Sequence, residues 1–147
     1  MKPEETIDFH IRWAWFNISR MYNLEATKYS GSMAIGYTLL NIDTKEGTPS
    51  TKLAPKMGLE SRSLTRMIKS LEEKGMIYKK VDEIDRRMVR LFLTDLGKDM
   101  RNQAILTVHN FNEKIQNEIP KEDLDKTFEV LGKLNQIIDK NNIFNNN

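Results

Sequence analysis

Between Thr48 and Thr94 the chain reads TPSTKLAPKMGLESRSLTRMIKSLEEKGMIYKKVDEIDRRMVRLFLT, and its apolar period changes partway along. Leu64, Ile68 and Leu71 recur at helical spacing, whereas Val89, Leu91 and Leu93 alternate with Met88, Arg90 and Phe92, the pattern of a half-buried strand. Glycines at 58 and 75 punctuate the helical part. The stretch therefore predicts a short helix from about Ser50 to Met57, a turn at Gly58, and a longer helix from about Ser61 to Lys74 closed by Gly75. A hairpin follows, with Ile77–Val81 as its first strand and the acidic and basic knot Asp82–Arg87 at its tip. Pro55 removes one backbone donor from the short helix and favours a bend there.

The flanks are helical by the same criterion. Ile7, Ile11, Ala14, Trp15, Ile18 and Tyr22 predict one amphipathic helix over about 5–28, and MAIGYTLLNI predicts a mostly buried helix from just beyond Ser32 to near Gly47. Thr94 is a good N-cap with Asp95 in the first turn. It opens a helix of about 22 residues, by the helix-length reading of the stripe from Leu96 through Met100, Val108 and Phe111 to Ile115. Pro120 starts a last helix carrying Leu124, Phe128, Leu131, Leu134 and Ile138, and the polar end at 142–147 is expected to be disordered. The fold class is thus mainly α with a small β-hairpin.

Composition narrows the chemistry. The absence of cysteine excludes disulfides, thiolate zinc sites and cysteine nucleophiles. No apolar run approaches the roughly 18 residues that a membrane span requires, and MKPEETIDFHIR has no signal-peptide core, so a cytoplasmic protein is expected. The two histidines, His10 and His109, stand far apart with no nucleophile or carboxylate at a catalytic spacing, which argues against an enzyme; no metal and no cofactor is expected. Residues 50–90 hold 11 Lys or Arg against 6 Asp or Glu, and the remainder 12 against 15, so a basic middle lies between acidic flanks. That asymmetry points to a polyanion.

On the helix from Ser61, Arg62, Arg66 and Lys69 occupy a face other than that of Leu64, Ile68 and Leu71, joined by Ser61, Ser63 and Thr65 near the N-terminal end. Short hydroxyls and arginines on a helix with an apolar back suit the major groove of DNA; an ordinary solvated helix, with Lys69 paired to Glu72 or Glu73, is the alternative. By itself the charged knot Asp82–Arg87 could be a solvated turn, but after such a helix it adds a second contact, close enough in sequence for Arg86 and Arg87 to reach the adjacent minor groove, with Asp85 holding Arg87 extended through a charged hydrogen bond. Helix, turn, helix and charged hairpin make a winged helix-turn-helix.

The segments KLAPKMGLESRSLTRMIKSLEEKGMI and DEIDRRMVRLFLTDLG resemble the MarR family of transcription regulators, as does the order of helices around them. The resemblance implies a single domain with a DNA-binding lobe over about 33–94 and dimerisation helices over about 5–28 and 95–141. It implies that Asp85 and Arg87 are the wing's Asp-x-Arg pair and that Ser61, Ser63, Thr65 and Arg66 are recognition-helix contacts. Ile84 stands where many similar proteins carry an arginine, leaving Arg86 as a substitute anchor.

It also implies a homodimer on a pseudo-palindromic operator in double-stranded DNA. From the residues alone, the stripes with Ile7, Ile11, Trp15, Phe128, Leu131 and Ile138 pack equally well within one chain or against a second copy. Members of the family respond to small aromatic or phenolic ligands; here Trp13, Phe16 and Tyr37, with Trp15 and Tyr22, are candidates to line such a site, or to serve as core or interface. A winged helix serving as a protein interaction module is the remaining alternative.

Overall fold

The computed structural model describes residues 1–140 and 143; all of the expected disordered tail at 142–147 except Ile143 lies outside the described residues. After a 3-10 turn at Pro3–Glu5, the helices are α1 (Ile7–Thr27), α2 (Met33–Leu40), α3 (Ser50–Met57), α4 (Ser61–Glu73), α5 (Asp95–Glu118) and α6 (Lys121–Lys140). The strands are β1 (Thr48–Pro49), β2 (Ile77–Val81) and β3 (Val89–Leu93). They form an antiparallel sheet in the order β1-β3-β2. The described chain clusters into two compact units, residues 1–107 and 108–147.

The core of the first unit is one cluster. Leu64, Ile68 and Leu71 supply the inward stripe of α4 and meet Ile35 and Leu39 of α2, Leu53, Ala54 and Met57 of α3, and Ile77, Leu91 and Leu93 of the sheet. Leu39, Leu53, Leu71 and Leu91 are fully buried. At about 25 cal/mol per Å² of apolar surface, each contributes on the order of 2 kcal/mol.

Helices α3 and α4 end by the same device. Gly58 and Gly75 adopt left-handed φ values of 64° and 70°. Beyond them Leu59 N–H donates to the Ala54 carbonyl at 3.0 Å and Met76 N–H to the Leu71 carbonyl at 2.9 Å, the crossed bonds that satisfy the last carbonyls of a helix. Pro55 lies inside α3 near this end, where its missing donor costs one bond without ending the helix.

Thr94 docks the hairpin to α4. Its hydroxyl donates to the Gly75 carbonyl at 2.6 Å and accepts from Gly97 N–H at 3.1 Å, capping α5 as expected. Gly97 approaches the Met76 carbonyl so closely that a Cβ there would stand 1.9 Å from its oxygen.

Two expectations need correction. The helix predicted to run from Ser32 to near Gly47 stops at Leu40, because Asp43 captures the chain: its carboxylate accepts from Lys45 N–H at 2.8 Å and Glu46 N–H at 2.7 Å, and its own N–H donates to Thr48 Oγ1 at 2.9 Å. Local carboxylate-to-backbone bonds of this kind compete with helix. These bonds also hold the Asp43 carboxyl below the usual carboxylate range. The strand β1 had no counterpart in the sequence reading. Two residues carry no period, and Pro49 is tolerated because β1 is an edge strand pairing Thr48 with Leu91 and Pro49 with Arg90.

Gly97→Ala is expected to cost about 3 kcal/mol, since a Cβ must displace backbone rather than a flexible side chain. Gly58→Ala, which meets nothing within 4 Å but must adopt φ +64°, is expected to cost about 1–2 kcal/mol. Urea unfolding of both variants checks the order; equal losses would show that the contact with Met76 is not the reason for glycine at 97.

Candidate nucleic-acid interface

The stripe that buries Leu64, Ile68 and Leu71 leaves the rest of α4 to solvent, and all six predicted recognition residues, Ser61, Arg62, Ser63, Thr65, Arg66 and Lys69, are exposed. The Thr65 hydroxyl donates to the Ser61 carbonyl at 2.9 Å, so it faces a ligand as an acceptor. Lys69 reaches Glu73 at 4.0 Å between two exposed side chains, an ion pair of small worth. Glu72 pairs instead with Lys79 of β2 at 2.8 Å. Among the described residues no ion pair holds Arg62 or Arg66. The first helix of the pair, α3, adds Lys52 and Lys56, exposed at i and i+4, which the sequence reading did not single out.

The wing tip differs from expectation in which acid does what. The Asp85 carboxylate accepts from the backbone N–H of Arg87 at 3.1 Å, so it shapes the turn and does not hold the guanidinium extended. The acid that binds a guanidinium is Asp82, only 6% exposed, whose Oδ2 accepts from Arg90 Nε at 2.5 Å. Its Oδ1 accepts from the N–H groups of Ile84 at 2.8 Å and Asp85 at 2.9 Å. Arg90 also donates to the carbonyls of Glu46 at 3.0 Å and Gly47 at 3.3 Å.

The tip end of the hairpin is thereby fastened to the turn before β1. Gly47 is required there: at φ +64°, a Cβ would stand 2.8 Å from the Leu91 carbonyl oxygen and the Phe92 ring. Hydrogen bonds from the Asp85 N–H, the Arg90 side chain and the Ile84 N–H hold the Asp82 carboxyl down at about 2. Asp82 belonged to the charged knot in the sequence, but its partner Arg90 was assigned only to the outward face of β3. An arginine on that face, eight residues from an aspartate across a tight loop, is the signal that could have found the pair.

Beyond the tip, Arg86 and Arg87 are exposed. The candidate effector residues divide. Trp13 and Phe16 meet edge-to-face on α1 with ring centroids 5.7 Å apart, and Arg20 lies 5.9 Å over the Phe16 ring. Tyr37 stands half-exposed on α2, and no ring contact among the described residues joins it to that pair. Each histidine has its own local partner: His10 is hydrogen-bonded to the Glu4 carbonyl at 2.8 Å, and His109 lies 3.9 Å from Glu113. No helix of the described residues is long and apolar enough to cross a membrane.

Residues 36–89 match the sequence profile of the MarR family. The fold is similar to that of MepR from S. aureus in its complex with DNA, at 16% identity and a TM-score of 0.82, over 89% of this chain and 97% of that one. It is similar to the transcriptional regulator SlyA, at 18% identity and a TM-score of 0.79, over 89% and 92% of the two chains. CouR from Rhodococcus jostii RHA1, bound to p-coumaroyl-CoA, matches at 20% identity and a TM-score of 0.78, over 91% and 94%; CouR is also described as a transcriptional repressor bound to a 23-mer DNA duplex.

Because the folded carboxyl of Asp82 titrates near 2, well below the ordinary value of about 3.9, its contribution to stability is complete above about pH 4 and is lost as pH falls toward 2. The gap in urea midpoint between the parent and Asp82→Asn is therefore expected to be constant at pH 5–7 and to close between pH 4 and 2. A gap that stays constant through acid would mean that the ionised carboxylate is not what holds the wing.

Proposed function

We propose that this chain, whose residues 36–89 match the MarR family, is a transcription regulator that binds a pseudo-palindromic site in double-stranded DNA as a homodimer. The observation that carries the reading is the division of α4: its apolar stripe is buried, and Ser61, Arg62, Ser63, Thr65, Arg66 and Lys69 all remain on the surface. Such a helix enters the major groove with its N-terminal residues at the base edges, where an arginine binds guanine in a bidentate manner. In this reading Lys52 and Lys56 of α3 meet phosphates, which fixes register without reading sequence. Arg87, with Arg86, enters the minor groove from the wing. The DNA named with MepR and with CouR supports the reading.

The homodimer is proposed from exposed apolar side chains on the terminal helices. Ile7, Ile11 and Trp15 on α1 and Phe128, Leu131 and Ile138 on α6 are all more than a third exposed in the single chain. A symmetric partner covering them would set two copies of α4 about 34 Å apart, one turn of B-DNA. The role is non-catalytic. A small aromatic ligand is proposed as effector, with Trp13, Phe16 and Tyr37 as its contacts; the p-coumaroyl-CoA named with CouR carries a phenolic ring on its acyl group.

Duplexes selected from genomic DNA are expected to share a short inverted repeat, with affinity falling steeply as salt rises. On such a duplex, Arg87→Ala is expected to lose about tenfold or more in affinity. Arg66→Ala is expected to weaken binding similarly and to relax preference at one position per half-site; a loss equal on all sequences would demote Arg66 to a phosphate contact. Selection that enriches no sequence would point to a winged helix serving a protein partner. Sedimentation at micromolar concentration is expected to give twice the chain mass, and Ile138→Glu to shift it toward one.

A further inference from the structure

The wing tip carries one side chain that recognition by charge leaves unused. Ile84 is 98% exposed, the most exposed large apolar residue after Met1 among the described residues. A flexible loop would let an isoleucine fold back onto the sheet. This one is held out, because its own N–H and that of Asp85 both donate to Asp82 Oδ1, at 2.8 and 2.9 Å. The buried Asp82 is in turn fixed by Arg90, which is fastened to the carbonyls of Glu46 and Gly47.

The tip's neighbouring acids are each occupied. Glu83 pairs with Lys80 Nζ at 3.3 Å, and Asp85 accepts from the Arg87 backbone at 3.1 Å. The groups presented outward without an ion-pair partner among the described residues are then Ile84, Arg86 and Arg87: an apolar side chain beside two cations.

We infer that Ile84 is a specificity-determining residue that contacts the floor of the DNA minor groove at an A·T step. The inference rests on the DNA-binding reading above and deepens it. In the minor groove A·T and T·A pairs display only acceptors, whereas a G·C pair adds the guanine amino donor. A branched aliphatic side chain pressed against that donor leaves it unpaired, and against A·T it buries its own surface at no such cost. The adjoining arginines favour the same sequences, since A·T-rich tracts narrow the groove and deepen its negative potential. Apolar side chains that enter this groove from rigid elements are a known means of reading and deforming it. Ile84 thus adds a steric and apolar contact beside the charge contacts of Arg86 and Arg87.

The test uses the full-length protein and a duplex selected by it, with the wing-facing steps located by hydroxyl-radical protection. Ile84→Ala is expected to bind about three- to tenfold more weakly, with dimer mass and melting temperature unchanged. Changing the wing-facing A·T pairs to G·C is expected to weaken the parent. Inosine·cytosine pairs at the same steps, which lack the amino group, are expected to restore its binding, and Ile84→Ala is expected to distinguish the three duplexes less. Parent-like affinity of both Ile84→Ala and Ile84→Ser would overturn the inference while leaving DNA binding intact. So would a parent that treats inosine like guanine. Selection of no duplex by the parent would overturn the DNA-binding reading and this inference together.

Discussion

Burial of Leu64, Ile68 and Leu71 on one side of α4 is the constraint from which the rest of the structure follows. A helix cannot rotate about its axis once three side chains at i, i+4 and i+7 are packed, so fixing that stripe also fixes which residues face water. The core that receives the stripe is shared by α2, α3 and the sheet. Each of those elements is therefore placed relative to α4, and the polar face of α4 is presented at a defined orientation relative to α3 and the wing.

The wing is placed by two attachments of different chemistry. At its foot, Thr94 bonds to the Gly75 carbonyl and Gly97 lies against the Met76 carbonyl, which joins the hairpin to the end of α4 through backbone contact. Along its outer face, Asp82 and Arg90 tie the tip to the turn at Glu46–Gly47. A two-stranded hairpin is marginal by itself. Here β1 supplies a third strand beside β3, and the Tyr78 and Phe92 rings stack at 5.5 Å across the β2–β3 pair. The proposed contact with DNA at the tip would therefore act on an ordered loop, which lowers the conformational entropy lost on binding.

Much of this was legible in the chain. The limits of α3, α4, β2 and β3 agree with the reading of period and glycine punctuation to within a residue, and the caps at Gly58, Gly75 and Thr94 were each visible as residue types suited to one backbone task. The elements that escaped were those without period. β1 is two residues long, and the end of α2 is set by Asp43 bonding to backbone three residues on, an alternative the apolar pattern MAIGYTLLNI does not register. In the candidate site, the charged knot Asp82–Arg87 was visible as a tip but its internal pairing was not. Proximity in sequence favoured Asp85 with Arg87, whereas the pleat of the hairpin brings Arg90 to Asp82.

The sequence by itself determined the order of helices and strands, the division of α4 into a buried and a polar face, and the presence of an arginine-bearing wing. These depend on spacing along the chain, and a period of 3.6 or 2 is a local property. Tertiary structure alone decided which carboxylate anchors the wing, that Gly47 and Gly97 are required by close approach to Leu91, Phe92 and Met76, and that Ile84 stands fully outside the fold. Those outcomes depend on which atoms meet between Glu46 and Arg90, 44 positions apart, or between Met76 and Gly97, 21 positions apart. No local pattern encodes such a meeting.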